Sequence, residues 1–384
     1  MTLDTKIIPN IDREIDKTVN HLRKLLEEQY ERAASMEAGT EADKGQDQEA
    51  VVIGIAYGDG IGPVIMREAE RLLKVILKDE IAQGNVVLRR IEGLTLENRM
   101  EHGEAVPKDV LEDIKSCHVL LKGPTTTPKG GSLESANVTL RRELDLFANV
   151  RPITIENEGI DWTFFRENTE GEYVLGSRGC ELKGDEAELT IDFKITTAAG
   201  TKRIARAAMD FARKTGKTRI AIVTKANIMK KTDGMFSEIC HQVAKEYPEL
   251  IIDDWYVDIM AANLVNEELR RDFQVFILPN LYGDIITDEA AQLQGGVGTA
   301  GSANIGSRYA MFEAIHGSAP RLVEAGLMEY ANPASIFKAM TMMLNHLGFV
   351  EKSEALSKAL DQVLIKDLSD TKAVDVTDYI LQLI

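Results

Sequence analysis

The sequence is poor in cysteine and in basic charge, and it has no long apolar run. Its 384 residues include three cysteines (Cys117, Cys180 and Cys240) without the spacing of metal ligands, a count that suits buried thiols in a reducing compartment. The formal net charge of −17 argues against nucleic acid or an anionic membrane as a partner. No stretch approaches a membrane span, and the first residues lack a signal-peptide pattern. The sequence therefore predicts a cytoplasmic protein.

The first fifty residues differ in pattern from the rest of the chain. Between Asp12 and about Met36, apolar residues recur at steps of three and four, which predicts a helix with one apolar stripe. Residues 36–50 are polar and acidic, as flexible linkers are. The helix either docks on its own chain or pairs with another subunit, and the pattern allows both. The residues of the stripe are Ile15, Val19, Leu22, Leu26, Tyr30 and Ala33.

After residue 50, short apolar runs alternate with amphipathic helical patterns. This alternation predicts an α/β fold with an open, mostly parallel sheet that helices cover on both faces. Two further runs, 170–179 and 188–197, predict a hairpin around a turn at 183–185. The predicted strands are 51–57, 119–121, 219–224, 274–278 and 309–315, and the predicted helices are 63–77, 111–116, 202–214, 234–247, 288–293 and 334–347.

A glycine-rich turn follows the first predicted strand. Residues 58–63 read GDGIGP, which is similar to the dinucleotide fingerprint GxGxxG, and an acid near Asp79 follows at a suitable distance. Pro63 stands where the fingerprint needs glycine or alanine, and it is instead well placed to begin a helix. We therefore expect a non-Rossmann turn whose backbone is approached closely by another group.

Two carboxylates lie four residues apart shortly after the predicted strand 274–278. On a helix, Asp284 and Asp288 share one face. They repel one another unless a cation lies between them, and oxygen ligands without nearby His or Cys select Mg²⁺ or Mn²⁺. A solvated acidic helix start, favoured by the helix dipole, is the alternative. Gly283 and the glycine run that starts at Gly295 favour the metal site, because glycine permits close approach of a ligand.

A second set of residues predicts a site for carboxylates. Ser135 is a natural N-cap for a helix, on which Asn137 and Arg141 share a face, and a helix N-terminus itself attracts anions. Arg151 and Arg166 lie among apolar residues, and a buried guanidinium group needs a partner, which can be a carboxylate bound through two hydrogen bonds. Those partners are either substrate groups or acids of the protein.

Two further side chains stand where proton transfer is possible. Lys225 directly follows the predicted strand 219–224, at the edge of the sheet where ligands bind in open α/β folds. A lysine there can relay a proton once its surroundings shift its pKa. Tyr173 offers a phenolic proton. The residue chemistry alone favours a core or surface role for both.

Taken together, these segments resemble the family of β-decarboxylating dehydrogenases that act on isocitrate, isopropylmalate and homoisocitrate. The resemblance covers about residues 51–384 and leaves 1–50 outside. It rests on six motifs in the expected order: GDGIGP at 58–63, KGPTTTP at 122–128, FRENTEGEY at 165–173, TKANIMK at 224–230, NLYGDIITDEAAQ at 280–292 and FEAIHGSAP at 312–320.

The resemblance implies a domain organisation. The expected fold has two α/β lobes with open, mostly parallel sheets and a non-Rossmann cofactor site. Residues 51–147 and 295–384 would form the large lobe and residues 148–294 the small one. A hairpin at about 171–197 would clasp a second subunit. Residues 1–50 lie outside the resemblance and carry the N-terminal helix and acidic linker that their own pattern predicts.

The resemblance also implies roles for single residues in substrate and metal binding. Arg141, Arg151 and Arg166 match residues that clamp substrate carboxylates, and Tyr173 and Lys225 match the acid–base pair. The metal ligands for Mg²⁺ or Mn²⁺ match Asp284 and Asp288 of one subunit and Asp258 of its partner, which implies a homodimer with shared sites. Residues near a bound NAD or NADP match Thr126, Asn227, His316, Gly317, Ser318, Ala319, Pro320 and Asn332.

Substrate choice within the family follows the helix start at Ser135. Isocitrate members carry Ser and Asn where this chain has Ser135 and Asn137, whereas isopropylmalate members carry apolar residues. Polar groups left unpaired by an alkyl substrate reject it strongly, so a tricarboxylate such as isocitrate is expected. Homoisocitrate, isopropylmalate and tartrate are the alternatives. A non-catalytic regulatory subunit is a remote alternative, because such subunits commonly lose an aspartate or the Tyr–Lys pair and this chain keeps them all.

The nucleotide preference stays open between NAD and NADP. At the position after Pro320, NAD-linked members usually carry aspartate and many NADP-linked members carry Lys-Tyr. This chain has Arg321, which suits a 2′-phosphate. The aromatic partner is missing, however, and residues 370–379 contain no arginine that would help.

Overall fold

A computed structural model describes residues 11–38, 50–128, 133–176, 178–183, 188–296, 298, 300–365, 368 and 370–384. Of the linker predicted at 36–50, residues 36–38 belong to a helix, and residues 39–49 lie outside the described residues, as does part of the predicted turn, 184–185. The strands are β1 (Val51–Ala56), β2 (Val86–Ile91), β3 (Val119–Lys122), β4 (Ala148–Ile155), β5 (Ile160–Glu167), β6 (Cys180–Lys183), β7 (Glu188–Ile191), β8 (Arg219–Thr224), β9 (Ile251–Tyr256), β10 (Val275–Leu278), β11 (Gly301–Ile305) and β12 (Ala310–Ala314).

Helices precede, connect and follow these strands. Most of the helices predicted from the sequence are present with ends shifted by a few residues, and the one predicted at 288–293 is the second half of a longer helix. The helices are α1 (Ile11–Ala38), α2 (Gly62–Ile76), α3 (Lys78–Ala82), α4 (Leu96–His102), α5 (Lys108–Lys115), α6 (Ala136–Glu143), α7 (Ala198–Thr215), α8 (Thr232–Ala244), α9 (Val257–Val265), α10 (Asn280–Gln294), α11 (Pro320–Glu324), α12 (Ala334–His346), α13 (Val350–Leu364) and α14 (Ala373–Leu381).

Ten strands form one continuous sheet in the order β2-β1-β3-β12-β11-β4-β5-β10-β8-β9. Strands from residues 51–122 and 301–314 make up one half, and strands from 148–278 make up the other. Each half is parallel over most of its width, and antiparallel pairs join them through β11 and β4. The α/β prediction is confirmed. The lobe boundaries proposed from the sequence stay a prediction.

Both faces of the sheet are buried, which explains the continuously apolar strands. In β1, Ile53 and Ile55 pack under α2 and α12, while Val52 and Ala56 point to the opposite face and pack with α5 and α6. The other half repeats this arrangement. There α7 and α8 cover one face, and α9 and α10 cover the other.

Helix α1 docks on the chain through Leu25 and Arg32, which lie outside the predicted apolar stripe. Leu25 is buried against Val174 and Leu175, and Arg32 forms an ion pair with Glu170 at 2.9 Å. Ile15, Val19, Leu26 and Tyr30 stay exposed. In the described structure, α1 therefore docks on its own chain, which was one of the two alternatives. Pairing with another subunit stays a prediction.

The predicted strand at 170–179 is wrong. Gly171 and Gly176 adopt φ values of +73° and +48°, which break an extended strand, so this segment turns beneath α1. Cys180–Lys183 and Glu188–Ile191 pair as an antiparallel hairpin, shorter than the sequence pattern indicated, and Gly171 and Ile195 form an isolated antiparallel bridge. Among the described helices, none has the length and apolar character needed to span a bilayer.

Candidate functional site

The two predicted carboxylates lie together on α10, one helical turn apart, and they face two of the predicted arginines. Arg151, from β4, donates to Asp288 at 2.9 Å and lies 3.6 Å from Asp284. Arg166, at the end of β5, forms a closer ion pair with Asp284. Two residue sets that the sequence treats separately therefore form one cluster.

Gly283 has a different role from the one expected. A Cβ atom there would lie 2.5 Å from Cγ of Arg166, so the glycine makes room for the arginine side chain rather than for a ligand. Asn280 also holds Arg166, whose Nε and Nη2 donate to the Asn280 Oδ1 at 3.0 and 2.7 Å. Gly295 ends α10 with a φ of +125°, so the glycine run terminates the helix.

Tyr173 contacts the same cluster. Its hydroxyl donates to the Asp284 Oδ2 at 2.8 Å, and the Arg166 guanidinium lies 5.2 Å from its ring. Burial and the Asp284 carboxylate raise the pKa of Tyr173, so its phenol keeps the proton. Burial alone would raise the pKa of Asp284, but Arg166 and Arg151 outweigh it and the pKa is lowered. The cluster thus presents the ionised Asp284 carboxylate beside a protonated phenol.

A buried acid without a predicted role supports the third arginine. Glu313 on β12 forms ion pairs with Lys122 at 3.0 Å and Arg141 at 3.2 Å, and Lys122 is completely buried. Burial would raise the pKa of Glu313, but the two cations lower it to about 2. Lys122 lies in the motif KGPTTTP and Glu313 in the motif FEAIHGSAP. The signal that could have identified them is a charged residue at the end of an apolar strand.

The glycine turn at 58–63 packs against two loops that carry predicted nucleotide-site residues, one with Thr126 and one with Ser318. Gly60 has a φ of +59°, and a Cβ there would lie 2.1 Å from the carbonyl oxygen of Ser318. The Asp59 carboxylate accepts from the backbone N–H groups of Leu96 and Thr126, both at 2.8 Å. Thr126 in turn donates to Ser318 at 2.8 Å. The expected close approach to this turn is therefore made by the protein itself.

A small cavity of about 80 Å³ connects the substrate and nucleotide residues. Its lining includes Asn137, Arg141, Arg151, His316 and Gly317. Burial lowers the pKa of His316, and its Nε2 is buried without a hydrogen-bond partner among the described residues. An orphaned buried donor or acceptor of this kind fits a ligand group.

Ser135 and Asn137 lie on different sides of the start of α6. Ser135 is at the N-cap position, but its side chain makes no capping hydrogen bond, so that part of the expectation is wrong. It lines a separate cavity of about 470 Å³ together with Tyr173. Asn137 accepts a hydrogen bond from Thr125 at 3.1 Å.

Lys225 and Asp258 pair with each other rather than with the cluster on α10. Their Nζ and Oδ1 atoms are 2.5 Å apart, and the Asp258 side chain is 61% exposed. The described residues contain no group of three acids, histidines or cysteines positioned to hold a metal ion. The predicted set of three aspartates is thus not brought together within one chain.

The remaining nucleotide-site residues are spread along two loops. Asn227 is exposed in the turn after Lys225, and Arg321 is exposed on α11. Ala319 precedes α11 with a φ of +50°. Asn332 accepts from the Ala334 N–H at 2.9 Å and so caps α12.

Glu167, next to Arg166, makes the folded chain sensitive to pH. Burial and the Glu170 carboxylate raise the pKa of Glu167 from 4.5 to about 7. The folded state therefore holds a proton there that the unfolded chain releases, and this stabilisation, complete below about pH 4.5, is lost as pH rises through 7. We expect Glu167→Gln to gain stability relative to wild type between pH 5 and pH 8, measured by urea denaturation. Equal slopes for both proteins would contradict this, and exposed Glu351→Gln is the control.

The chain is similar to known dehydrogenases. The family model described as isocitrate/isopropylmalate dehydrogenase matches residues 52–380. The NADP-dependent isocitrate dehydrogenase of Rickettsia prowazekii (strain Madrid E) is 38% identical over 303 residues, which are 77% of this chain and 59% of that protein. The homoisocitrate dehydrogenase of Methanocaldococcus jannaschii is 35% identical over 86% of this chain and 96% of that protein. The chain therefore spans about 60% of the length of the Rickettsia relative.

A solved structure is similar over most of the chain. The isocitrate dehydrogenase from Methylococcus capsulatus superposes with a TM-score of 0.75 at 33% sequence identity, covering 86% of this chain and 98% of that one. The part of this chain that the superposition does not cover is about as long as the segment before β1. The family match also leaves that segment out.

Proposed function

The chain belongs to the isocitrate/isopropylmalate dehydrogenase family, and from that premise we propose that it oxidises and decarboxylates isocitrate to 2-oxoglutarate while reducing NAD or NADP. One observation carries the proposal. Arg151, Arg166, Tyr173, Asp284 and Asp288, which come from three separate segments, contact one another in one cluster. Guanidinium groups, carboxylates and a protonated phenol are the groups that a hydroxy tricarboxylate and its metal ion need.

The arginines bind the substrate carboxylates in this proposal. Arg141, Arg151 and Arg166 are all buried, and their charges are balanced by Glu313, Asp284 and Asp288 in the free chain. Guanidinium forks bind carboxylates bidentately, so substrate carboxylates replace the aspartates as their partners. The aspartates are then released to a cation.

The donor set of α10 fits a divalent cation. The side chains of Asp284 and Asp288 are 36% and 56% exposed, so an ion can reach them, and all-oxygen donors suit Mg²⁺ or Mn²⁺. His316, whose Nε2 has no hydrogen-bond partner among the described residues, fits a nucleotide beside the cavity of about 80 Å³. When bound, the cation supplies positive charge that acidifies the substrate hydroxyl, and the nicotinamide supplies the hydride acceptor.

Two side chains of the chain move protons. Lys225, paired with Asp258, takes up the hydroxyl proton through that aspartate or a water molecule. Tyr173, whose pKa is raised, donates its phenolic proton to the carbon that loses CO₂. General acid–base groups of this kind contribute about 10²- to 10⁴-fold to a rate.

The isolated Lys225–Asp258 pair supports a homodimer with shared sites. Among the described residues, this pair makes no hydrogen bond or ion pair with Tyr173 or Asp284 of the same chain, and the family resemblance matches it to residues that serve the other subunit. Apolar side chains close in sequence to Lys225, Asp258 and Asp284 are exposed, as expected of an interface. They are Ile228, Met229, Tyr256, Ile259 and Ile285.

A substrate panel tests the proposed activity. With Mn²⁺ present, we expect the largest kcat/KM for isocitrate among isocitrate, homoisocitrate, isopropylmalate and tartrate, assayed with NAD and with NADP. Chelation by EDTA should abolish turnover and added Mn²⁺ should restore it. Ser135→Leu should lower kcat/KM for isocitrate by about 10²-fold or more, because it removes a polar partner of the third carboxylate. Glu143→Leu, on the exposed side of the same helix, is the control.

Two outcomes would contradict the proposal. A larger kcat/KM for homoisocitrate or isopropylmalate would assign the chain to a sister activity. Binding of isocitrate without turnover under any of these conditions would indicate a regulatory subunit.

A further inference from the structure

A cavity of about 980 Å³ lies between α1 and α7, on the far side of the segment that follows Tyr173. Its size is at the upper end of the range for small-molecule sites. Residues from α1, α6 and α7 line it, so the helix that lies outside the family match forms one of its walls. The cavity shares Arg142 with the one that Ser135 and Tyr173 line, and it shares no residue with the one that Arg141 and His316 line.

Positive charge is concentrated around this cavity. Its lining contains five basic side chains and two carboxylates, Asp145 and Asp210, although acids outnumber bases by 62 to 45 in the whole chain. A local reversal of charge in an acidic protein attracts anions. The basic residues are Arg32, Arg142, Lys202, Arg203 and Arg206.

Several of these cations are incompletely paired. Lys202 has no ion pair with a described residue, and Arg142 makes only contacts of 3.6 Å with two acids. Arg203 bonds to Asp145 and Thr169, but its Nε is buried without an acceptor. A buried guanidinium N–H without a partner costs free energy unless a ligand supplies one. Arg32 and Arg206 are paired with Glu170 and Glu246.

We propose that this cavity is a binding site for a phosphate-bearing small polyanion. Arginines bind phosphate through two parallel hydrogen bonds, and three arginines with one lysine from α6 and α7 surround the space. The ligand would bridge α1 to α7. Because Leu25 and Arg32 of α1 contact Leu175 and Glu170 on either side of Tyr173, binding would also restrain the segment that carries Tyr173.

Calorimetric titration of the full chain with inorganic tripolyphosphate, in EDTA and low salt, tests the site. We expect one equivalent to bind, and at least tenfold weaker binding by the double variant Lys202→Glu, Arg206→Glu. The matched control is Arg213→Glu, Lys214→Glu on the same helix. It changes the net charge by the same amount, and it breaks the Arg213–Glu249 ion pair outside the cavity as the first variant breaks Arg206–Glu246. The control should bind as the wild type does. Equal affinities of the two double variants, or no saturable binding to the wild type, would overturn the proposal.

Three further measurements locate and identify the ligand. Arg141→Gln should leave the affinity unchanged, and a loss of affinity there would place the polyanion in the substrate site and refute the proposal. ADP, titrated in parallel, tests whether the site accepts a nucleotide as well as an inorganic polyphosphate. A ligand that binds in this cavity must lose affinity in Lys202→Glu, Arg206→Glu. Hydrogen exchange of α1 should slow when tripolyphosphate binds. None of these readouts requires turnover, so they are independent of the proposed dehydrogenase activity.

Discussion

Mixing Lys225→Met subunits with Tyr173→Phe subunits is expected to restore about a quarter of wild-type turnover, although each variant alone loses about 10²- to 10⁴-fold. Under the proposed shared site, Tyr173 of one subunit works with Lys225 of its partner. Random pairing makes half of the dimers mixed, and each mixed dimer has one site with both native residues. The measurement is isocitrate turnover after the two variants are unfolded, mixed and refolded together.

The control for this experiment follows from the contact between Tyr173 and Asp284. Because their side chains are hydrogen-bonded within one chain, mixing Tyr173→Phe with Asp284→Asn leaves every site defective, and no activity should return. Lys231→Met, an exposed neighbour of Lys225, should keep full activity on its own. Failure of Lys225→Met and Tyr173→Phe to complement would refute the shared site, and normal turnover of Lys225→Met alone would refute its catalytic role.

Glu313→Gln is expected to destabilise the fold by about 3–5 kcal/mol, because removing one partner of a buried ion pair leaves charge uncompensated in the interior. Lys122 is completely buried and Arg141 nearly so, and neither can move to water. The measurement is the apparent free energy of unfolding in urea at pH 7. The lowered pKa of Glu313 adds a pH signature: its stabilisation is present above about pH 4.5 and is lost as pH falls towards 2.

A double variant separates lost charge pairing from lost packing. Adding Lys122→Met to Glu313→Gln removes the stranded cation, so we expect part of the stability to return. Glu329→Gln breaks an exposed pair with Lys372 and should leave the unfolding midpoint unchanged. If Glu313→Gln unfolds at the wild-type midpoint, the buried charges are balanced by other groups.

The sequence was sufficient for the α/β class and for naming several residues of the candidate cluster. Buried strands read as continuous apolar runs, and Asp284 and Asp288 read as one face of a helix, because both signals are local. That Arg151 and Arg166 meet these aspartates required the pairing of β4 with β5 and the packing of α10 on them. No local pattern contains that information.

Other features could not be predicted from the sequence, for physical reasons. Segment 170–179 has the composition of a strand, but the left-handed glycines Gly171 and Gly176 turn it under α1. Glu313 and Lys122 neutralise one another across neighbouring strands, although they lie 191 residues apart in the chain, so neither shows its partner in sequence. The continuity of the sheet through β11 and β4 also depends on residues that are distant in the chain.

The placement of β12 between β3 and β11 bears on how the protein is synthesised. Every residue of β3 is buried, yet its second neighbour is made only after residue 310 has left the ribosome. Until then, an apolar strand has an open edge that can pair with other nascent chains. The first third of the polypeptide must therefore wait for the last quarter, and nascent chains that stop before β12 are the ones that most need a chaperone.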